Sequence, residues 1–363
     1  MNNFFESSKK VYIRPFIYVT DSVTFDISRI LFLLLIQIVL LFVSKSFSSL
    51  LVILAAILGS AGADFISKKV FNSKIGNNFS QLICITQGII TGMFIPENYP
   101  PVVVFFITLF VMMVVKNFFG GFSYAWANPA AFSVLILWII GKSCFPEYQV
   151  SMDLLSGRNP SQTLIESGVF NILPFDSGLT DTLNSVIFSL FKVSIPEGYV
   201  SMFWDTHASI PAFRFNFITL ISSIIIFSGN LYKLIISGIF ISFYLLLVRL
   251  VSPFITSGVL FQGDMILCML TSGTLFCATF VLNWYGTTPM SKSGKILYGL
   301  CAGTIAFVIC GPGTSPSGMI FTVIISNIVS IFIQQWENRR DRLSLRKKLD
   351  IFKNLESNEI KGL

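Results

Sequence analysis

The chain has 363 residues, enough for two or three soluble domains, but 53% of them are apolar, only 12% are charged, and mean hydropathy is +0.76. A chain of this composition cannot cover its surface with polar groups, which excludes a cytosolic enzyme, a disordered scaffold and a disulfide-rich secreted module. The +7 net charge does not point to nucleic acid, because the Lys and Arg gather at the chain ends and in short loops, as membrane topology requires.

Residues 1–29 read as a polar, basic cytoplasmic head without the apolar core and small-residue site of a cleavable leader. Ten apolar runs follow, at 30–43, 50–66, 82–95, 102–115, 130–141, 215–227, 234–250, 265–282, 296–309 and 319–333. Several fall short of the roughly 20 residues a straight span needs, and these are bordered by Gly or Pro. Interrupted helices at membrane depth are tolerated where they are buried in protein or line a cavity. No stretch shows the alternation of a membrane β-barrel, so the fold class is an all-α polytopic membrane protein of about ten helices, several broken or short.

Charge sets the topology. With both ends in the cytoplasm, 19 of the 25 Lys and Arg lie inside, the exceptions being Lys45, Lys142, Arg158, Lys192, Arg214 and Arg249. This orientation suits a bacterial cytoplasmic membrane and puts the 142–212 connection outside, with three Lys/Arg against seven Asp/Glu. A connection this long is usually functional. Residues 336–363 read as a charged, partly helical cytoplasmic tail that anchors topology or touches headgroups. The six cysteines form no C-x-x-C and read as small apolar fillers.

The halves at 30–141 and 213–335 resemble each other weakly. Ile85-Thr86-Gln87-Gly88 aligns with Leu270-Thr271-Ser272-Gly273, and Asn128-Pro129-Ala130-Ala131-Phe132 with Ser315-Pro316-Ser317-Gly318-Met319, at nearly equal offsets. Five spans per half would insert the copies in opposite senses, the inverted-repeat plan of transporters. On that plan Gly88 and Gly273 occupy related places where helices approach closely.

Four segments, in order between about residues 80 and 335, carry a family resemblance. Gln87-Gly88-Ile89-Ile90-Thr91-Gly92 runs to Ile95-Pro96. Lys116-Asn117-Phe118-Phe119-Gly120-Gly121 leads to Asn128-Pro129-Ala130. Gly273-Thr274-Leu275-Phe276 leads to Pro289, Ser293-Gly294-Lys295 and Tyr298-Gly299. Ser317-Gly318-Met319-Ile320-Phe321 runs to Ser326-Asn327. The ordered set resembles the D subunit of the Rnf electron-transport complex and its relative, the B subunit of the sodium-translocating NADH:quinone oxidoreductase.

That resemblance implies a urea-transporter-like fold and FMN ester-linked by a flavin transferase to a threonine in the external loop. Asp176-Ser177-Gly178-Leu179-Thr180 is similar to the family's Ser-Gly-Ala-Thr motif, which makes Thr180 the candidate FMN phosphoester, with Ser177 and Gly178 as its motif partners. Leu179 replaces a small residue, and Pro174 stands where the family has an acid; Asp176 is closer. The transferase needs an accessible hydroxyl and a backbone it can approach, which Gly supplies. The same residues also read as an ordinary Ser-Gly turn before a helical run at 183–191. The family's second flavin, or a riboflavin, would fall near Asn128 and Thr288, although Ala125 replaces the first motif Asn and Asn283-Trp284-Tyr285-Gly286 stands where an acid is expected.

The resemblance further implies partner membrane subunits and coupling of electron transfer to Na+ or H+ movement. Asp264 and Asp64, at the borders of apolar runs, are candidate ion-pathway acids, or acids at headgroup depth. His207 beside Asp205 reads as a solvated histidine. Thr86, Thr91 and Thr271 could line a cavity or simply pack helices. No Walker, Rossmann, iron–sulfur or Ser/His/Asp pattern occurs, so the chain is not read as a complete enzyme. The contrasting reading is a solute channel of urea-transporter type without a redox role.

Overall fold

The computed structural model describes residues 22–71, 77–118, 126–146, 152–155, 159–168, 172–192, 194–229, 231–261, 263–312 and 315–361. Lys9, Lys10, Arg14, Lys74, Gly120, Gly121, Ala125 and Arg158 lie outside these. Among the described residues the chain is helical, with no strand.

The first half holds α1 (Val23–Val43), α2 (Phe47–Phe71), α3 (Asn77–Met93), α4 (Pro101–Val111) and α5 (Pro129–Ile140). α4 runs on as a π-helical turn, Met112–Phe118. The connection carries short helices: α6 (Met152–Leu155), α7 (Pro160–Glu166), α8 (Asp176–Val186) and α9 (Tyr199–Trp204). The second half holds α10 (Asn216–Gly229), α11 (Leu231–Leu250), α12 (Ser252–Thr256), α13 (Met265–Thr271), α14 (Thr274–Phe276), α15 (Lys292–Cys310) and α16 (Gly318–Lys361).

Six helices are long and apolar enough to cross a membrane, and α3, α5 and α10 are shorter apolar helices. This is a multi-pass membrane protein. Large apolar side chains such as Phe32, Phe65, Phe106, Phe110 and Phe332 are exposed, as lipid-facing helix sides must be. The 265–282 run is broken: α13 stops at Ser272, Gly273 takes a left-handed φ of 69°, and α14 passes into a π-helical stretch, Cys277–Val281. A Cβ on Gly273 would also meet the Phe213 ring, which packs edge-on with Phe94 at 6.5 Å. Gly88 is crowded differently, at mid-helix against the α2 backbone at Ala56 and Ile57. Both glycines permit close approach, one by lacking a side chain in a helix and the other by its backbone conformation as well.

Polar ties gather the helix ends into two layers. One holds Asp26–Lys233 (3.0 Å), Asp64–Lys68 (2.6 Å), Asp64–Lys116 (3.6 Å) and the Ser291–Glu337 hydrogen bond. The other holds Arg214–Asp205, Arg214–Ser46, Ser49–Glu97 and Ser161–Asp264. Between them Gln37 Nε2 donates to Thr219 Oγ1 (3.0 Å) and Asn128 Nδ2 to the Val281 carbonyl (3.0 Å), joining the halves in the interior.

Candidate functional site

Thr180 lies in the second turn of α8, a helix that begins seven residues before the expected 183–191 run. Ser177 and Gly178 therefore belong to its first turn and are exposed, while Thr180 is only 2% exposed. The threonine faces inward because residues 176 and 180 are one turn apart and share the side that packs on α9.

Asp176, fully buried, organises this contact. Its carboxylate accepts hydrogen bonds from Gly198 N (2.9 Å), Ser201 N (2.6 Å), Ser201 Oγ (2.5 Å) and Thr180 Oγ1 (3.0 Å). Burial by itself pushes this carboxyl up, but the donors of Gly198, Ser201 and Thr180 outweigh it and hold the group below the usual carboxylate range. Asp176 is thus an anion solvated by neutral dipoles, and one of them is the hydroxyl of Thr180.

Thr180 also borders a cavity of about 520 Å³ lined by Phe175, Phe188, Tyr199, Phe203, Trp204 and Phe217 among others, almost entirely apolar. Trp204 and Phe217 face each other at 5.9 Å with their planes 33° apart, and Phe175 meets Trp204 edge-on at 6.3 Å. The lining suits a flat, conjugated ring system. Around Gly178 nothing approaches within 4 Å of where a Cβ would be, so internal packing does not demand a glycine there.

One wall leads back to the helices. Tyr199 OH lies 2.8 Å from Ser161 Oγ, and Ser161 donates from its N (2.9 Å) and Oγ (2.5 Å) to Asp264 Oδ2. Burial pushes the Tyr199 phenol up, keeping it a neutral hydroxyl at pH 7. Asp264 Oδ1 accepts from Ile266 N and Leu267 N, both at 3.0 Å, and so caps α13. Its role here is to cap a helix and to tie that helix to α7.

The other sequence candidates fall elsewhere. Asn128 caps α5 through Ala130 N (3.0 Å), and Gln87 Oε1 takes the same N–H at 2.8 Å. Thr288 lies at the opposite end of the bundle from the Thr180 cavity, its carbonyl accepting from Gln334 Nε2 (3.2 Å). The structure therefore does not bring Asn128 and Thr288 to Thr180. Asp64 faces Lys68, Lys116 and Ser80. Thr86 and Thr91 return their hydroxyls to the carbonyls of Leu82 and Gln87 in their own helix, and Thr271 does the same to Leu267. Helix packing is the role these bonds describe.

The sequence reading missed the Asp205–Arg214 pair. Nε and Nη2 of Arg214 reach the two carboxylate oxygens at 2.9 and 2.6 Å, and Nη1 reaches Ser46 Oγ at 2.5 Å. Burial raises the Asp205 carboxyl, but Arg214 outweighs it and holds the group below the usual range. His207 is partly exposed, with φ of 50° and Nδ1 3.6 Å from Asp205. Among the described residues no His/Cys/Asp/Glu group could hold a metal ion.

Comparison with known proteins agrees with this architecture. The D subunit of the Na(+)-translocating ferredoxin:NAD(+) oxidoreductase complex of Acetobacterium woodii is 22% identical, over 80% of this chain and 82% of the relative. The D subunit of the proton-translocating ferredoxin:NAD(+) oxidoreductase complex of Clostridium ljungdahlii is also 22% identical, over 78% and 81%. The D subunit of the ion-translocating oxidoreductase complex of Shewanella pealeana is 26% identical, over 80% and 84%. The first two differ in the ion they are named for, so likeness alone does not select Na+ or H+. The profile of the NQR2, RnfD, RnfE family matches residues 10–342, and the chain belongs to that family.

Proposed function

We propose that this chain is the flavin-bearing membrane subunit of an ion-translocating electron-transport complex, with FMN esterified to Thr180 and with other membrane subunits as its partners. The observation that carries the reading is the position of Thr180: the residue borders an aromatic cavity of about 520 Å³, and its hydroxyl donates to Asp176. The residues fit the group. Phe175, Phe203, Trp204 and Phe217 offer faces and edges to a planar ring, and the apolar lining excludes water from it. Asp176, which accepts the Thr180 hydrogen bond, would take the Oγ1 proton as that oxygen bonds to the flavin-side phosphorus of a flavin dinucleotide, whose phosphoanhydride breaks and whose nucleoside monophosphate leaves. Thr180 itself is only 2% exposed, so a transferase reaches it while α8 is lifted from α9, with exposed Gly178 beside it. Once bound, a flavin supplies electron transfer in one- or two-electron steps.

The two layers of polar ties alternate along the chain as ten crossings in two inverted five-helix halves would require. The Lys and Arg distribution puts the termini and Lys116, Lys233 and Lys292 in the cytoplasm and Thr180 outside. About 30 Å of hydrocarbon then separates Thr180 from cytoplasmic donors, so partner subunits carry electrons across. The bonds from Tyr199 through Ser161 to Asp264 tie one cavity wall to the first turn of the broken helix. A change of state in the cavity can thereby bias the α13 position, provided the two states stabilise different arrangements. The moving ion is Na+ or H+.

In-gel fluorescence of the denatured chain, made with a flavin transferase, tests the reading. Wild type and Thr180→Ser should fluoresce and Thr180→Ala should be dark. A fluorescent Thr180→Ala band, or a dark wild type beside a fluorescent control flavoprotein, would overturn it. Sidedness is tested in a Cys144→Ser background. Cysteine replacing exposed Leu190 should react with an impermeant thiol reagent in intact cells, and one replacing Ser344 only after lysis.

A further inference from the structure

The end of the bundle opposite Thr180 contains a second cavity, a cleft of about 860 Å³ with a mixed polar and apolar lining, between the first turns of α11 and α15 and residues 334–341 of α16. Lys295 lines it, and exposed Lys292 lies three residues earlier on α15; their ammonium groups are 4.9 and 5.5 Å from the centre of the Tyr232 ring, which also lines the cleft. Of the nearby carboxylates, Asp26 and Asp341 have cationic partners, whereas Glu337, on the cleft wall, is held by a hydroxyl. Asp26 takes Lys233 Nζ (3.0 Å) and Tyr285 OH (2.8 Å). Glu337 accepts from Ser291 Oγ, and Asp341 lies 3.6 Å from Arg340. Neither Lys292 nor Lys295 lies within ion-pair distance of a carboxylate among the described residues. Two ammonium groups on one aromatic ring, facing a cleft large enough for a headgroup, form a site for an anion.

The surroundings identify the kind of anion. Beyond Lys295, Ile296 and Leu297 are exposed at 44% and 41%, and on α16 Phe332 and Trp336 are exposed at 65% and 51%. The helices that frame the cleft therefore also present an apolar, lipid-facing surface. A ligand that uses both must be an amphiphile with an anionic head. We propose that this cleft binds the phosphate headgroup of an anionic phospholipid through Lys292 and Lys295, with its acyl chains lying on the exposed faces of α15 and α16. Basic pockets between membrane helices are suited to such headgroups.

Native mass spectrometry of the full-length protein from mild detergent, titrated with phosphatidylglycerol or phosphatidylcholine, provides the test. Wild type should retain phosphatidylglycerol in preference to phosphatidylcholine. The Lys292→Gln/Lys295→Gln pair should weaken that retention by roughly tenfold or more, since each lysine near a lipid surface contributes appreciably. Lys142→Gln, at the other layer and seated on Trp138, is the control and should change nothing. If the double variant does not fold, Lys292→Gln alone, at an exposed position, should still lose severalfold. Equal retention of the two lipids, or equal loss in Lys142→Gln, would overturn the site. Inorganic phosphate separates the two sources of this chemistry. Displacement of the lipid by millimolar phosphate, with phosphate binding as tightly as the lipid, would make this a small-anion site and overturn the lipid assignment.

Discussion

Asp176 and Asp64 are both buried carboxylates, one in the connection between α5 and α10 and the other in the helix bundle, and they are satisfied by opposite means. Neutral donors surround Asp176: two backbone N–H groups and the hydroxyls of Ser201 and Thr180. Asp64 faces two ammonium groups, Lys68 at 2.6 Å and Lys116 at 3.6 Å, with Ser80 completing the set. The first arrangement leaves a net negative charge beside the Thr180 hydroxyl. The second sets two cationic side chains around one carboxylate and ties α2 to the π-helical turn. Burial of an acid is therefore a poor guide to function until the charge of its donors is known.

The largest effect should come from breaking the charged cluster. Asp64→Asn removes the counter-charge of the buried Lys116 ammonium and of the partly exposed Lys68, and should cost about 3–5 kcal/mol, read as lost yield and a lowered melting temperature of the purified protein. Asp176→Asn turns an N–H toward donors that need an acceptor. It should cost about 1–3 kcal/mol, confined to the connection, with faster proteolysis there, altered Trp204 fluorescence and an unchanged bundle. Acid sharpens the contrast further. Asp176 and Asp205 both titrate below the usual carboxylate range, so the stability they confer is complete above about pH 4 and is lost as pH falls through the lower folded-state values. Trp204 emission should stay flat from pH 8 to 5 and change below about pH 4; a transition near pH 6 would contradict this. Gly178→Ala should give the smallest change in stability, a gain of up to about 1 kcal/mol, because the site has room and alanine favours the helix. It should nevertheless reduce flavin incorporation, and full incorporation would remove the case for close approach at this glycine.

The apolar runs were legible because a spanning helix needs a long uninterrupted stretch, and Asn128 was legible because Asn before Pro is a local signal for a helix start. The start of α8 was not. Asp176-Ser177-Gly178 has the chemistry of a turn, and the partners that draw Asp176 into a helix, Gly198 and Ser201, lie 22 and 25 residues further on. The expected accessible hydroxyl at Thr180 is consequently a buried one. The break at Gly273 was only partly legible: Thr271-Ser272-Gly273-Thr274 interrupts the apolar 265–282 run, but the Phe213 ring and the left-handed backbone are what reveal the interruption. Arg214 carried a readable sign, as one of the six Lys and Arg that the positive-inside count leaves as exceptions. Asp205, nine residues earlier, neutralises it.

The α16 helix also crosses a boundary that the composition implied. Its sequence turns from apolar to charged near Trp336, yet the helix continues unbroken for 44 residues, Gly318–Lys361. At 1.5 Å per residue that is a rod of about 66 Å, with roughly 40 Å standing beyond residue 335. A rod of this length magnifies rotation. A tilt of about 5° among the packed helices would sweep the far end through roughly 3 Å, about half a helical turn. A neighbouring subunit resting on that end would register, as a displacement in water, a rearrangement taking place inside the lipid.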